Sequence, residues 1–268
     1  MATETKDLLF EQRDGTATLT MNRPEARNAL SLDMRKAMRE RLLECERDPA
    51  VRVVLIKGSG EHFMAGGDVK RFYNDLNVDD RLRYEGFLNG IHDLHPMIFA
   101  MQRMAKPIVA SVRGAAAGFG LSLVMACDLA IAAEDAFFTL AYVHIGTTPD
   151  GGGTYFLPRQ VGLKKAMEIA WLGDRFDARA AQNLGIVNWV VPAASLDSET
   201  DKLARRLASG PTAVYGRSKK LLQQSTGCSL ESQLQAEAEM FATSAIGNDF
   251  KEGVRAFVEK RAPKFTGD

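Results

Sequence analysis

Residues 107–133 read PIVASVRGAAAGFGLSLVMACDLAIAA, and this stretch decides the fold class. Pro107–Val112 is a short β-branched run of the kind that forms a buried strand. Gly114 ends it, and small residues lead through Gly118 into the apolar run Phe119–Cys127, which reads as a helix without a polar face. Asp128–Ala133 returns to strand character. Strand, glycine turn, helix and strand in that order favour a mostly parallel sheet with crossover helices.

The same alternation extends outward. Upstream, Leu8–Phe10 and Ala17–Met21 flank Asp14-Gly15, a hairpin turn signal. Ser31 caps a charged amphipathic helix over Leu32–Arg47, stopped at Asp48-Pro49. Val53–Lys57 is a further buried strand. Downstream, Ala136–Leu140 is strand-like, and beyond Gly162 the signals turn helical: Lys164–Leu172, Ala178–Leu184, Leu196–Ala208 and a long segment from Leu230. Ser209-Gly210-Pro211 marks a helix stop. The expected architecture is an α/β core over residues 1–200 with a helical C-terminal region, 201–268, suited to oligomerisation.

Lys+Arg and Asp+Glu both number 34 in 268 residues, so no bulk charge draws the chain to nucleic acid or an anionic membrane. The three cysteines are scattered, with no CxxC pair, which argues against a disulfide framework or zinc knuckle. The opening residues MATETKDLLF lack the apolar core of a secretion signal. A cytoplasmic setting is therefore expected. The longest apolar stretch, around Phe119–Ala133, is too short and too interrupted to span a bilayer.

Three glycine-rich junctions remain: Ala65-Gly66-Gly67-Asp68, Gly114–Gly120 and Asp150-Gly151-Gly152-Gly153. A dinucleotide fingerprint requires glycine where Leu123 stands, no GK[ST] phosphate loop is present, and a nucleophile elbow requires glycine at Val124. What fits is close backbone approach to a ligand at a helix start.

These junctions, with Asn22–Leu30, Phe63–Lys70, Lys106–Ala110, Gly146–Thr154 and Phe257–Arg261, resemble the crotonase (enoyl-CoA hydratase/isomerase) superfamily along nearly the whole chain. The resemblance implies a spiral core of ββα turns, a helical C-terminal trimerisation region, and homotrimers or hexamers built as dimers of trimers. It implies an acyl-CoA substrate, with coenzyme A entering as part of the thioester and no prosthetic group. By carry-over, the Gly67 and Phe119 amides form an oxyanion hole. Arg27 and Lys70 match cations near the CoA phosphates, and Ala65 matches a backbone position touching adenine. Phe257 and Lys260 match a contribution from a neighbouring subunit. The family usually has glycine where Phe119 stands; its side chain is expected to narrow the acyl pocket.

Hydratases of the superfamily use two glutamates, and their positions here hold Ser122 and Tyr142. Neither is a carboxylate, so ordinary hydration is not expected. Asp150 stands where isomerase relatives and chlorobenzoyl-CoA dehalogenase carry an aspartate. One carboxylate beside an oxyanion hole suffices for a 1,3-proton shift. His95 falls near the dehalogenase's catalytic histidine, and His92 shares its expected helix face. His62 and His144 are expected to be structural, and Ser122 to pack within its helix. The leading expectation is an enoyl-CoA isomerase using Asp150. The alternatives are hydration by another water-activating arrangement, an aryl-CoA dehalogenase or hydrolase, and a non-catalytic acyl-CoA binder.

Overall fold

The computed structural model describes residues 5–268; the first four residues of the opening stretch read above lie outside it. The strands are β1 (Leu8–Arg13), β2 (Thr16–Met21), β3 (Val53–Gly58), β4 (Ile108–Val112), β5 (Ala115–Ala117), β6 (Leu129–Ala133), β7 (Phe137–Thr139), β8 (Phe176–Asp177) and β9 (Trp189–Val191). The hairpin falls where Asp14-Gly15 placed it, with both residues at positive φ, 50° and 78°. β1 pairs antiparallel to β2, with Leu8 opposite Met21. Every other pairing in the main sheet is parallel, in the order β1-β2-β3-β4-β6-β9. A second sheet, β5-β7-β8, lies across the turns. Thus β4–β5 and β6–β7 each step from one sheet to the other, which is the ββα spiral expected from the resemblance.

The helices are α1 (Leu32–Arg47), α2 (Val69–Asn74), α3 (Asp80–His92), α4 (His95–Arg103), α5 (Phe119–Ala126), α6 (Gly153–Val161), α7 (Leu163–Leu172), α8 (Ala178–Asn183) and α9 (Leu196–Ala208). α10 (Thr212–Gln224), α11 (Leu230–Ala245) and α12 (Asn248–Val258) close the chain. Ser31 caps α1 as expected, its Oγ accepting from the Met34 amide at 3.1 Å. All eight residues of α5 are buried, which explains a helix with no polar face. The long segment from Leu230 is two helices, because Gly247 interrupts it and caps α12.

One expectation is corrected. His92 and His95 do not share a helix: α3 ends at His92, and α4 begins at His95 with Pro96 in its first turn. Proline has no amide to donate and fits a helix start, so the chain restarts there. The two rings still approach to 5.5 Å between centroids.

The main core lies between the sheet and α1, α4 and α5, with Leu19, Met21, Met38, Ile56, Met97 and Met101 fully enclosed. On the opposite face, Leu196, Ala204 and Ala208 of α9 cover Val53, Leu55, Val109 and Ile131. The parallel strands are covered on both sides, so they read as continuous apolar runs in the sequence. No helix among the described residues is long and apolar enough to cross a membrane.

Candidate active site

The segment Arg23–Leu30 is bolted to the first glycine turn, which Met64 ties to the second. Asn28, fully buried and at φ 56°, accepts from the Arg23 amide at 2.8 Å. Its Nδ2 donates to the Ser59 and His62 carbonyls at 2.9 and 2.7 Å. The Ala65 amide donates to the Arg27 carbonyl at 3.0 Å, and the Leu30 amide to Gly66 at 2.8 Å. Met64 then joins the second turn, its amide donating to Ala115 and its carbonyl accepting from Ala117, at 3.0 and 2.9 Å.

Gly66 and Gly118 both take positive φ, 97° and 52°. A methyl on Gly66 would sit 3.1 Å from the Ala117 carbonyl oxygen and 3.6 Å from the Gly118 α-carbon. The positive φ calls for glycine at both positions. Phe119 is the first residue of α5, so its amide has no partner within the helix. Among the described residues, neither the Gly67 nor the Phe119 amide enters the hydrogen bonds of loops and caps. Two open donors thus stand at one cavity wall, one of them at a helix N-terminus where negative charge is favoured.

That cavity holds about 700 Å³ and is lined by Gly67, Phe119, His95, Tyr142 and Asp150, with Ala65 at its edge. Phe72, Phe87, Ile91 and Leu94 supply apolar walls. Asp68 and Asp150 are its carboxylates. Asp68 is occupied: it pairs with Arg23 at 3.1 Å and caps α2. Asp150 has no cationic partner within salt-bridge distance among the described residues. Instead the Tyr142 hydroxyl donates to its Oδ1 at 2.5 Å. Burial pushes the Asp150 carboxyl above its ordinary value, against the Tyr142 hydrogen bond and the nearby His95 charge, which lower it. Burial and the adjacent Asp150 likewise push the Tyr142 phenol upward.

Asp150 sits on a turn in which Gly151 and Gly152 take φ 60° and 82°, just before α6. Phe119 is 2% exposed and its ring packs against Gly151, beneath this turn. Ser122, fully buried, lies 3.4 Å from the Tyr142 hydroxyl. His62 accepts from the Ala115 amide at 3.2 Å, and His144 donates to the Gly173 carbonyl at 3.0 Å, both structural contacts.

The structure therefore brings Gly67, Phe119, Asp150, His95 and Ala65 together. Arg27 and Lys70 are exposed residues outside the cavity lining, although Arg27 touches Ala65 through its backbone. Phe257 is 86% exposed and lines a separate apolar groove among α10, α11 and α12. Lys260 follows the end of α12 at φ 54°. Neither reaches the cavity lining within one chain.

Sequence reasoning missed two features. Arg35 lines the cavity one turn into α1, its Nη1 donating to the Gly90 carbonyl at 2.6 Å, with its pKa lowered by burial. Its place just after the Asn22–Leu30 motif was the available signal. Tyr142 appeared only as a lost glutamate, and nothing local announced that its hydroxyl would reach Asp150. Among the described residues no cluster of His, Cys, Asp and Glu is arranged to hold a metal.

The sequence profile of the enoyl-CoA hydratase/isomerase family matches residues 11–268. The chain belongs to this family. It is 34% identical to trans-2-decenoyl-[acyl-carrier-protein] isomerase of Streptococcus mutans, over 98% of each chain. It is 36% identical to 1,2-epoxyphenylacetyl-CoA isomerase of Escherichia coli, over 97% of this chain and 98% of that one. The crystal structure of an enoyl-CoA hydratase from Polaromonas sp. JS666 superposes with a TM-score of 0.90 at 33% identity, covering 96% and 99% of the two chains. The fold is thus the one shared by enoyl-CoA hydratases and isomerases, and acyl-CoA thioesters are the family's substrates. Both reaction names occur among the relatives, so the family alone does not choose between them.

Proposed function

We propose that this enoyl-CoA hydratase/isomerase-family chain is an isomerase that moves a double bond in an enoyl thioester. The observation that carries the reading is Asp150, a half-buried carboxylate without an ion-pair partner among the described residues, in the same cavity as the open Gly67 and Phe119 amides. The two positions that hydratases fill with glutamate supply only hydroxyls, from Ser122 and Tyr142. The name of the Streptococcus mutans relative, an isomerase of a 2-enoyl thioester, supports the reading.

With a 3-enoyl thioester bound, Asp150 takes a proton from the α-carbon. The C–H electron pair spreads into a dienolate, whose charge rests on the thioester oxygen between the two amides. One such donor typically contributes about 3–4 kcal/mol of barrier reduction. Asp150 then returns the proton to the γ-carbon, and the dienolate collapses to the conjugated 2-enoyl thioester. A raised carboxyl pKa suits this cycle, because the group must both accept and release a proton near neutrality.

Arg27 and Lys70 hold the CoA phosphates and Ala65 the adenine, while Phe257 and Lys260 reach the site of a neighbouring subunit. The exposed apolar residues Leu234, Phe241 and Val254 on α11 and α12 provide the contact for a trimer. No prosthetic group takes part. Incubation with a 3-enoyl-CoA tests the reaction: ultraviolet absorbance of the conjugated thioester should rise, and Asp150→Asn should abolish the rise. An unimpaired Asp150→Asn enzyme would sink the assignment.

A second reading rests on His95, which shares the cavity and whose charge acts on Asp150. It is attack of Asp150 on the halogen-bearing ring carbon of a haloaryl thioester, which expels halide and leaves an aryl ester on Asp150 that water activated by His95 hydrolyses. This reading requires a covalent aryl adduct on Asp150, visible by mass spectrometry within a single turnover.

A further inference from the structure

Asp150 has two carboxylate oxygens, and the structure treats them differently. Oδ1 accepts from the Tyr142 hydroxyl at 2.5 Å. A phenol has one proton to give, so with that proton committed to Asp150 the Tyr142 oxygen is left as an acceptor. The Ser122 hydroxyl stands 3.4 Å from that oxygen, a longer and weaker contact, and takes the donor role. The order is Ser122 to Tyr142 to Asp150. Each member is fixed independently. Ser122 lies within the wholly buried α5. Tyr142 belongs to the 3₁₀ turn Tyr142–Ile145, and Asp150 begins the glycine turn into α6.

We propose that Tyr142 is a positioning residue that locks Oδ1 of Asp150, leaving Oδ2 as the oxygen that carries the proton, with Ser122 orienting the phenol. The proposal rests on Asp150 being the base. A hydroxyl hydrogen bond favours the ionised carboxylate, whereas burial favours the neutral acid. Tyr142 thus keeps a half-buried carboxyl ionised enough to act as a base. The other charged or titratable groups lining the cavity are Arg35 on α1, Asp68 and Arg71 at the start of α2, His95 on α4, and His144 in the 3₁₀ turn. None of these hydrogen-bonds Asp150 among the described contacts, so Tyr142 is the group whose removal acts on it most directly.

The test is the pH dependence of kcat and kcat/KM for 3-enoyl-CoA isomerisation by wild type, Tyr142→Phe, Ser122→Ala and Asp150→Asn. Loss of the hydroxyl removes a hydrogen bond to a charged group, so kcat should fall about 10–100-fold with KM changed little. The acid limb should move upward by about 1–2 pH units. Ser122→Ala should move it in the same direction by less. Replacing Tyr142 with 3-fluorotyrosine, a stronger donor of nearly the same shape, should move the limb downward, and this arm stands even where Tyr142→Phe misfolds. An acid limb that stays at its wild-type position in both Tyr142 variants overturns the proposal. If that happens while Asp150→Asn is inactive, the isomerase reading survives and only the role of Tyr142 falls; an active Asp150→Asn enzyme removes both.

Discussion

The Phe119 ring occupies the space beside Gly151 so closely that a β-carbon on Gly151 would lie 2.5 Å from it. One residue thereby serves both halves of the site. Its amide is open at the cavity wall, and its ring packs under the turn that presents Asp150. A side chain at position 151 meets that ring and also a φ of 60°, which disfavours any residue with a β-carbon. Gly151→Ala should therefore cost about 1–3 kcal/mol of stability. It should also lower kcat by at least 10-fold, because an ångström of displacement at a proton-transferring group is expensive. Denaturant unfolding and steady-state kinetics check the two parts.

Asn28 makes a separate prediction, because it holds the site without touching it. Its side chain accepts one backbone amide and donates to two backbone carbonyls while fully buried. Asn28→Ala leaves three buried backbone groups without that partner, at about 1–3 kcal/mol for each group that finds no water. Denaturant titration should show a marked loss of stability, and thioester affinity should fall with it because the Ala65–Gly67 turn loosens.

Asp150 should also trade stability for activity. Its pKa is raised in the folded state, so the folded chain binds more protons than the unfolded chain between the ordinary carboxyl value and the raised one. Stability from this group is fully present below the unfolded pKa and declines as pH rises through that window. Asp150→Asn removes this half-buried charge, so at neutral pH it should raise the melting temperature. The gain should vanish in acid. A melting temperature that falls at neutral pH and stays low in acid would contradict this.

Much of the fold was legible because local signals and burial agree. Ser31 and Asp48-Pro49 bound α1, Asp14-Gly15 bounds the hairpin, and the parallel strands are apolar on both faces. The joint at Asp93-Leu94 was less visible, since His92 and His95 have helical spacing and only Pro96 speaks against continuity. In the site, the glycine turns were legible as points of close backbone approach, and the superfamily resemblance named Gly67, Phe119 and Asp150. The Tyr142–Asp150 hydrogen bond was not, since it depends on the path of the loop between the 3₁₀ turn and α6. The destination of Phe119's ring was hidden for the same reason: packing across elements leaves no period in the sequence.

In the proposed reaction Asp150 carries a proton between two carbons of an enolate held by Gly67 and Phe119. Its most direct test is the isomerisation rate of Asp150→Asn against wild type, followed by absorbance of the conjugated 2-enoyl thioester with a 3-enoyl-CoA substrate. A loss of at least about 100-fold at unchanged thioester binding is the predicted result. Wild-type turnover by the Asn variant would contradict it.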